Sequence, residues 1–270
     1  MDLNARRCST GTSPSRSKNL ESGHVRNAVL IAAACVAMCA VGSEAAEAQN
    51  ILPGRGSGVQ SVAVGYFPVD FAYAGDAPAS LRYDFSQPAW GVIYARRGMQ
   101  ASAAVGSQSG QPSLRLTDIS VMTWRRLIVQ QARRTEVYLP AILAFGYRLV
   151  SPRSDSGESL EGYNATSLSI GLGAGLNYYM RDSRYVSLRA WPSIGVVTST
   201  FTDAYGVVYQ SEADAQLHLA DIFGRFGLTV GYSVRYQIWN VNTSTILSDV
   251  ADELYDYNGI MHTVRAGVNF

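Results

Sequence analysis

Beyond Cys39 the 270-residue chain has no cysteine, because its three thiols, Cys8, Cys35 and Cys39, all fall among the first 40 residues. Everything downstream therefore lacks disulfides, thiolate metal ligands and a thiol nucleophile. Lysine is nearly absent, Lys18 being the one instance, and histidine past His24 is limited to His218 and His262. Five of the 22 basic and four of the 21 acidic residues precede Gln49, so the remainder carries no formal net charge. That balance gives no electrostatic reason to expect nucleic acid as a partner. Sustained helical periodicity is missing. The one long apolar run, Ala28 to Val41 (AVLIAAACVAMCAV), falls short of the about 20 residues that a membrane-spanning helix needs.

That run has the length of a secretory h-region, and Ala46-Glu47-Ala48 after it reads as an A-x-A cleavage site. The expectation is a signal region over 1–48, with translation starting at Met1 or near Val25, and a single domain over 49–270. Lipidation at Cys35 or Cys39 would need a lipobox, and neither cysteine follows a good one.

What the rest of the chain has in quantity is period two, the signature of strands. Val137, Leu139, Ala141, Leu143, Phe145, Tyr147 and Leu149 form one apolar face. Leu168, Ile170, Leu172, Ala174, Leu176 and Tyr178 oppose Ser167, Ser169, Gly171, Gly173, Gly175 and Asn177. Phe226 to Ile238 and Val186 to Val196 repeat the pattern. The spacing predicts strands near Val59–Tyr66, Ala89–Arg96, Met99–Gly106, Leu116–Leu127, Val137–Leu149, Asn164–Tyr179, Arg184–Thr200, Val207–Leu219, Arg225–Trp239 and Gly259–Phe270. Ten is the preferred count and eight the alternative. Leu81, Tyr83 and Phe85 alternate as well as the Val59 segment does, and Gln210 to Asp214 interrupts another strand with polar residues.

A strand crossing a bilayer obliquely needs about 9 to 11 residues with an apolar outward face. These runs meet that requirement. A soluble barrel would reverse the faces, showing a charged skin to water. Here the polar set is mostly Gly, Ser, Thr, Asn and single arginines, which suits a crowded lumen. The expected fold is all-β, a transmembrane antiparallel up-and-down barrel. Long loops (Phe67–Pro88, Ser107–Arg115, Val150–Tyr163, Phe201–Gly206 and Asn240–Asn258) fall at one end, and short turns at the other.

The last residues alternate, with Val264, Ala266, Val268 and Phe270 on one face. With the presequence and the repeated amphipathic strands, the chain resembles the small bacterial outer-membrane β-barrel proteins of OmpA/OmpX-like or porin-like type. The resemblance covers 49–270 and is one of pattern. It implies location in the outer membrane, contact with its lipid and lipopolysaccharide, and recognition of the final strand by the barrel-assembly machinery. Tyr257, Ile260 and His262 extend that strand, His262 departing from a uniformly apolar face. The oligomeric state stays open.

Arg148, Arg189, Arg235 and Arg265 share the polar phase of their strands, and Asp118, Glu212 and Asp214 are candidate inward acids. They would make either an ion-selective constriction or a filled lumen of paired charges. Proteases with Asp and His at the rim, and lipid deacylases with Ser and His, occur among such barrels. Here His218 is expected in the lumen and His262 on the lipid side, so a hydrolase is the alternative and a structural or surface-interaction role, or a narrow pore, is preferred. Acids in the last loop (Asp249, Asp252, Glu253, Asp256) and a neighbouring one (Asp155, Glu158, Glu161) lack EF-hand spacing. Ile246, Val250 and Leu254 could form a short amphipathic helix there. Arg96, Arg97, Arg126, Arg133, Arg134, Arg181 and Arg184 gather at the opposite turns. Gly171-Leu172-Gly173-Ala174-Gly175 lies inside a strand and fails the context of a dinucleotide loop, so neither cofactor nor metal is expected.

Overall fold

The computed structural model describes residues 60–75, 83–110, 113–152, 162–181, 184–199, 204–242 and 254–270. Among them every regular element is a strand: β1 (Ser61–Tyr73), β2 (Pro88–Arg96), β3 (Met99–Gln108), β4 (Leu114–Gln131), β5 (Thr135–Pro152), β6 (Tyr163–Leu172), β7 (Ala174–Arg181), β8 (Arg184–Ser199), β9 (Ala204–Phe223), β10 (Phe226–Asn242) and β11 (Leu254–Asn269). All pairings are antiparallel, and β1 closes on β11 from Ser61↔Asn269 to Tyr73↔Tyr257. Past that register Gln60 and Phe270 exchange both backbone hydrogen bonds, at 3.2 and 2.9 Å. Closure leaves the wall without an unpaired edge, which hydrocarbon requires.

β6 and β7 are two halves of one wall strand, since both pair with β5 on one side and β8 on the other. The barrel therefore has ten wall strands. Their junction is Gly173, whose N–H donates to the Pro140 carbonyl at 3.1 Å. Proline has no N–H to return, so the ladder misses one bond there.

The alternation of burial is inside-out. Along β8, Ser187, Arg189, Trp191 and Ser193 are buried, while Leu188, Ile194 and Val196 are exposed. Along β10, Thr229, Ser233 and Gln237 are buried, and Phe226, Leu228, Val230, Tyr232 and Tyr236 are exposed. Ten residue steps from Phe226 to Tyr236, at about 3.3 Å each and a tilt near 40°, span about 25 Å, the height of the apolar band of a transmembrane barrel. An exposed apolar surface this continuous on every wall has only lipid to cover it. The chain is a transmembrane β-barrel.

Several strands run further than period two alone suggests. β1 reaches Tyr73 and β4 and β5 extend to Gln131 and from Thr135, which shortens the expected Phe67–Pro88 and Ile128–Glu136 connections. Gln210, Glu212 and Asp214 interrupt nothing, because they face the lumen of a continuous β9. Phe85 makes one bridge with Phe71 and belongs to no wall strand. Leu254 begins β11, so no helix extends to it, while Ile246 and Val250 lie outside the described residues. Tyr257 and Phe145, grouped with the outward set, are both buried, Tyr257 inside the barrel.

The short connections stand at one end: Arg97–Gly98, Ala132–Arg134, residues 182–183 and Gly224–Arg225. Gly98 and Gly224 sit at φ of 70° and 65°, a conformation side chains other than glycine's resist. The opposite end carries the longer connections.

Candidate functional site

The seven predicted charges meet in the middle of the lumen. Register alone brings three pairs together: Asp118 is opposite Arg148, Glu212 opposite Arg235, and Asp214 opposite Arg189. Arg148 donates from Nε (2.8 Å) and Nη2 (2.7 Å) to Asp118 Oδ2. Arg235 Nε donates to Glu212 Oε2 at 2.9 Å, and its Nη1 lies 3.9 Å from Asp118 Oδ1, linking two pairs. Arg189 Nη2 donates to Asp214 Oδ1 at 2.8 Å.

Arg265 has no acid opposite it. Its partners in register are Gly65 on β1 and Gly231 on β10. The absent side chains leave it room to pass over Gly231 and pair with Asp214 on β9, while its Nη1 donates to Gln100 Oε1 on β3 at 3.1 Å. Amides complete the layer: Gln216 Nε2 donates to Asp214 (2.6 Å), Gln210 Nε2 to Glu212 (3.3 Å), and Gln237 Nε2 to Gln210 (3.0 Å). The bonds form two groups that meet on β9, one around Asp118, Arg148, Arg235 and Glu212 on β4, β5, β9 and β10, the other around Arg189, Asp214 and Arg265 on β3, β8, β9 and β11. A layer tied to so many walls acts as a cross-brace at mid-height.

Towards the long-loop end the lumen turns apolar. Phe67, Phe71, Phe85, Leu116, Val150, Tyr163, Val197, Val208, Trp239, Val241 and Tyr257 pack as one buried cluster. Phe71 and Tyr257 stack with centroids 4.4 Å apart and planes within 4°, and Tyr163 lies 4.4 Å from Tyr257. Phe85 joins through its bridge to Phe71, with both bonds at 2.8 Å. Arg148 couples the two layers, its guanidinium carbon 5.2 Å from the Phe71 ring and 5.0 Å from that of Trp239. Offset ring contacts and cation–π geometry of this kind favour one fixed packing.

The short-turn end holds a third set. Glu136, placed in a turn by its sequence, is a buried β5 residue that accepts from Arg126 and from the Tyr179 hydroxyl at 2.8 Å. His218 is buried in the lumen, its Nδ1 3.0 Å from Thr229 Oγ1, with Tyr185 stacked on it at 4.5 Å. Arg189 lies over the Trp124 ring at 4.2 Å.

The aromatic cluster had a signal that strand-by-strand reading passes over. Ala63, Gly65, Phe67, Val69 and Phe71 continue one phase of β1, and that phase is apolar on the inward side.

His262 is half-buried on the outer face, its Nδ1 2.7 Å from the Tyr232 hydroxyl. Val264, Ala266, Val268 and Phe270 also face outward, on the strand that closes the barrel. Among the described residues no group of His, Cys, Asp or Glu is arranged to hold a metal ion. Asp155, Glu158, Glu161, Asp249, Asp252 and Glu253 lie outside the described residues, as do 1–48 with their cysteines.

No protein-family model and no curated protein matches the chain. Solved structures similar to it include the outer membrane protease OmpT of Escherichia coli, at 9% identity and a TM-score of 0.41, covering 81% of this chain and 98% of that one. Ail, the attachment invasion locus protein of Yersinia pestis, in complex with a heparin analogue, is 11% identical with a TM-score of 0.32, over 79% of this chain and 99% of that one. The translocator domain of the autotransporter NalP of Neisseria meningitidis is 12% identical with a TM-score of 0.32, over 88% and 97%. Such scores leave the assignment to the barrel's own geometry.

Proposed function

We propose that the chain is an integral barrel of a bacterial outer membrane, serving as a closed scaffold that presents its long-loop end at the cell surface. One observation carries this reading. The lumen is crossed at mid-height by the Asp118, Arg148, Arg189, Glu212, Asp214, Arg235 and Arg265 network and filled above it by the Phe71 cluster. A buried pair that loses one partner leaves an uncompensated charge at a cost of about 3–5 kcal/mol, so these arginines resist leaving their acids to open a path. Short turns face the periplasm and longer loops the exterior in such barrels.

In this reading the barrel itself catalyses no reaction. Its outer wall contacts lipid and lipopolysaccharide, and the outward set Val264, Ala266, Val268 and Phe270 is what the assembly machinery reads. Planar-bilayer recording of the purified chain, with folding verified by heat-modifiable gel mobility, tests the scaffold role. The expected result is silence from folded protein. Discrete conductance steps, with an ion selectivity that changes when Arg148, Arg189, Arg235 and Arg265 become serine, would make it a narrow pore instead.

A further inference from the structure

The end of the barrel that carries the short turns is basic. Arg97 between β2 and β3, Arg134 between β4 and β5, and Arg225 between β9 and β10 are all exposed, and Arg184 opens β8 half-buried. Against them, the acids that the described residues place at this end are Glu136, which is buried and taken by Arg126, and Asp221. The opposite end reads differently, with Asp70, Asp84 and Asp256 alongside Arg115.

These arginines sit where the apolar wall stops. Phe223 (70% exposed) and Phe226 flank the Arg225 turn. Val129 and Val137, both exposed, stand on either side of the turn that holds Arg134, and exposed Tyr178 and Met180 lead into the turn before Arg184. Arg225 leans back onto the wall, its guanidinium carbon 5.7 Å from the Phe226 ring. A cation held against an exposed ring at the edge of the apolar band lies at headgroup depth, with its stem in the acyl region and its charge at the surface.

We propose that this basic rim docks on the phosphate headgroups of an anionic phospholipid leaflet and so fixes the depth of the barrel in the membrane. The inference rests on the membrane-barrel reading above and names the leaflet chemistry at one of its ends. Guanidinium groups match phosphate oxygens two at a time, and the repetition of arginine from turn to turn presents that match around the rim rather than at one point. Lipid is favoured over a soluble anionic polymer because the charges adjoin exposed Phe223, Phe226, Val129 and Val137. A polymer in water would leave those side chains uncovered.

The test reads lipid selectivity of the purified full chain reconstituted in phosphatidylcholine bilayers, using spin-labelled phosphatidylglycerol and spin-labelled phosphatidylcholine. The wild-type barrel is expected to prefer phosphatidylglycerol by about threefold or more, and the preference should collapse in 1 M salt. The combined variant Arg97→Ser, Arg134→Ser, Arg225→Ser should bring the ratio close to one, and the matching lysine variant should keep most of it. A ratio unchanged by the serine variant overturns the proposal. So does loss of sedimentation with isolated peptidoglycan in that variant while its lipid ratio stays at the wild-type value, which would assign the rim to the polymer. Folded, inserted protein without headgroup preference refutes this inference alone. Failure to insert at all refutes the barrel reading beneath it.

Discussion

Arg265 reaches Asp214 by passing over Gly231, so that a guanidinium on β11 pairs with a carboxylate on β9 across the intervening strand. The contact depends on a side chain that is not there. A Cβ added to Gly231 would stand 2.7 Å from Arg265 Nε. Gly231→Ala should therefore push Arg265 off Asp214 and lower stability by about 1–3 kcal/mol, as overpacking of a filled interior does. Urea unfolding from lipid vesicles, followed by tryptophan fluorescence, measures it. The double variant Gly231→Ala, Arg265→Met should recover part of the loss.

Asp214 is shared closely by two arginines, Arg189 and Arg265, whereas the second arginine of Asp118 stands 3.9 Å away. Asp214→Asn keeps the shape and removes the charge, leaving both guanidiniums buried without a counter-ion. The expected loss is about 3–5 kcal/mol. Glu212→Gln should cost less, because Arg235 also has Asp118 within 3.9 Å and Ser120 Oγ within 3.3 Å. If the two variants unfold at the same urea concentration, the sharing has no energetic consequence.

The aromatic cluster and the ion layer close the lumen in series. Phe71→Ala and Trp239→Ala remove rings that touch each other at 5.3 Å and that both contact the Arg148 guanidinium. Each should cost about 3–5 kcal/mol. Neither should produce conductance, since the charged layer below stays intact. Conductance in either single variant would place the sole barrier in the aromatic cluster and remove the ion layer from the closure argument.

The ten strands were legible because lipid and lumen impose opposite polarities on alternate residues over long runs, as in Leu168 to Tyr178 and Phe226 to Ile238. Ends of strands were less legible. β1 continues to Tyr73 because Phe67, Val69 and Phe71 pack into an apolar lumen while Asp70 is exposed on the outer face, the reverse of the polarity that marks the other strands. Glu136 sits beside Arg133 and Arg134, which reads as a turn until β4 and β5 are seen to pair down to Gln131↔Glu136. The inward phase of the seven charges could be read from spacing. Which acid each arginine meets could not, because Arg265 skips a strand, and only the register of β9, β10 and β11 together shows that Gly231 opens the way. The lateral pairings Asp118 with Arg148 and Glu212 with Arg235 needed register too, since a slip of one residue turns either partner to the lipid side.

The outer wall yields the last prediction, and it depends on depth. Ile170 is 64% exposed and lies near the middle of the β6–β7 wall strand, between Leu143 on β5 and Ile194 on β8. Tyr178, on the same face, is three residues from the end of β7 at the short turn. An arginine on the lipid face costs about 2–4 kcal/mol at the bilayer midplane and about 0–1 kcal/mol near the interface. Ile170→Arg should therefore destabilise the barrel in vesicles by several times as much as Tyr178→Arg, which adds one more cation beside Arg184. Transfer to water-rich detergent micelles should narrow the difference, because the penalty belongs to the hydrocarbon and not to any contact within the protein. Equal costs for the two variants in vesicles would mean that the exposed apolar face does not sit across a bilayer, and the membrane reading would fall with it.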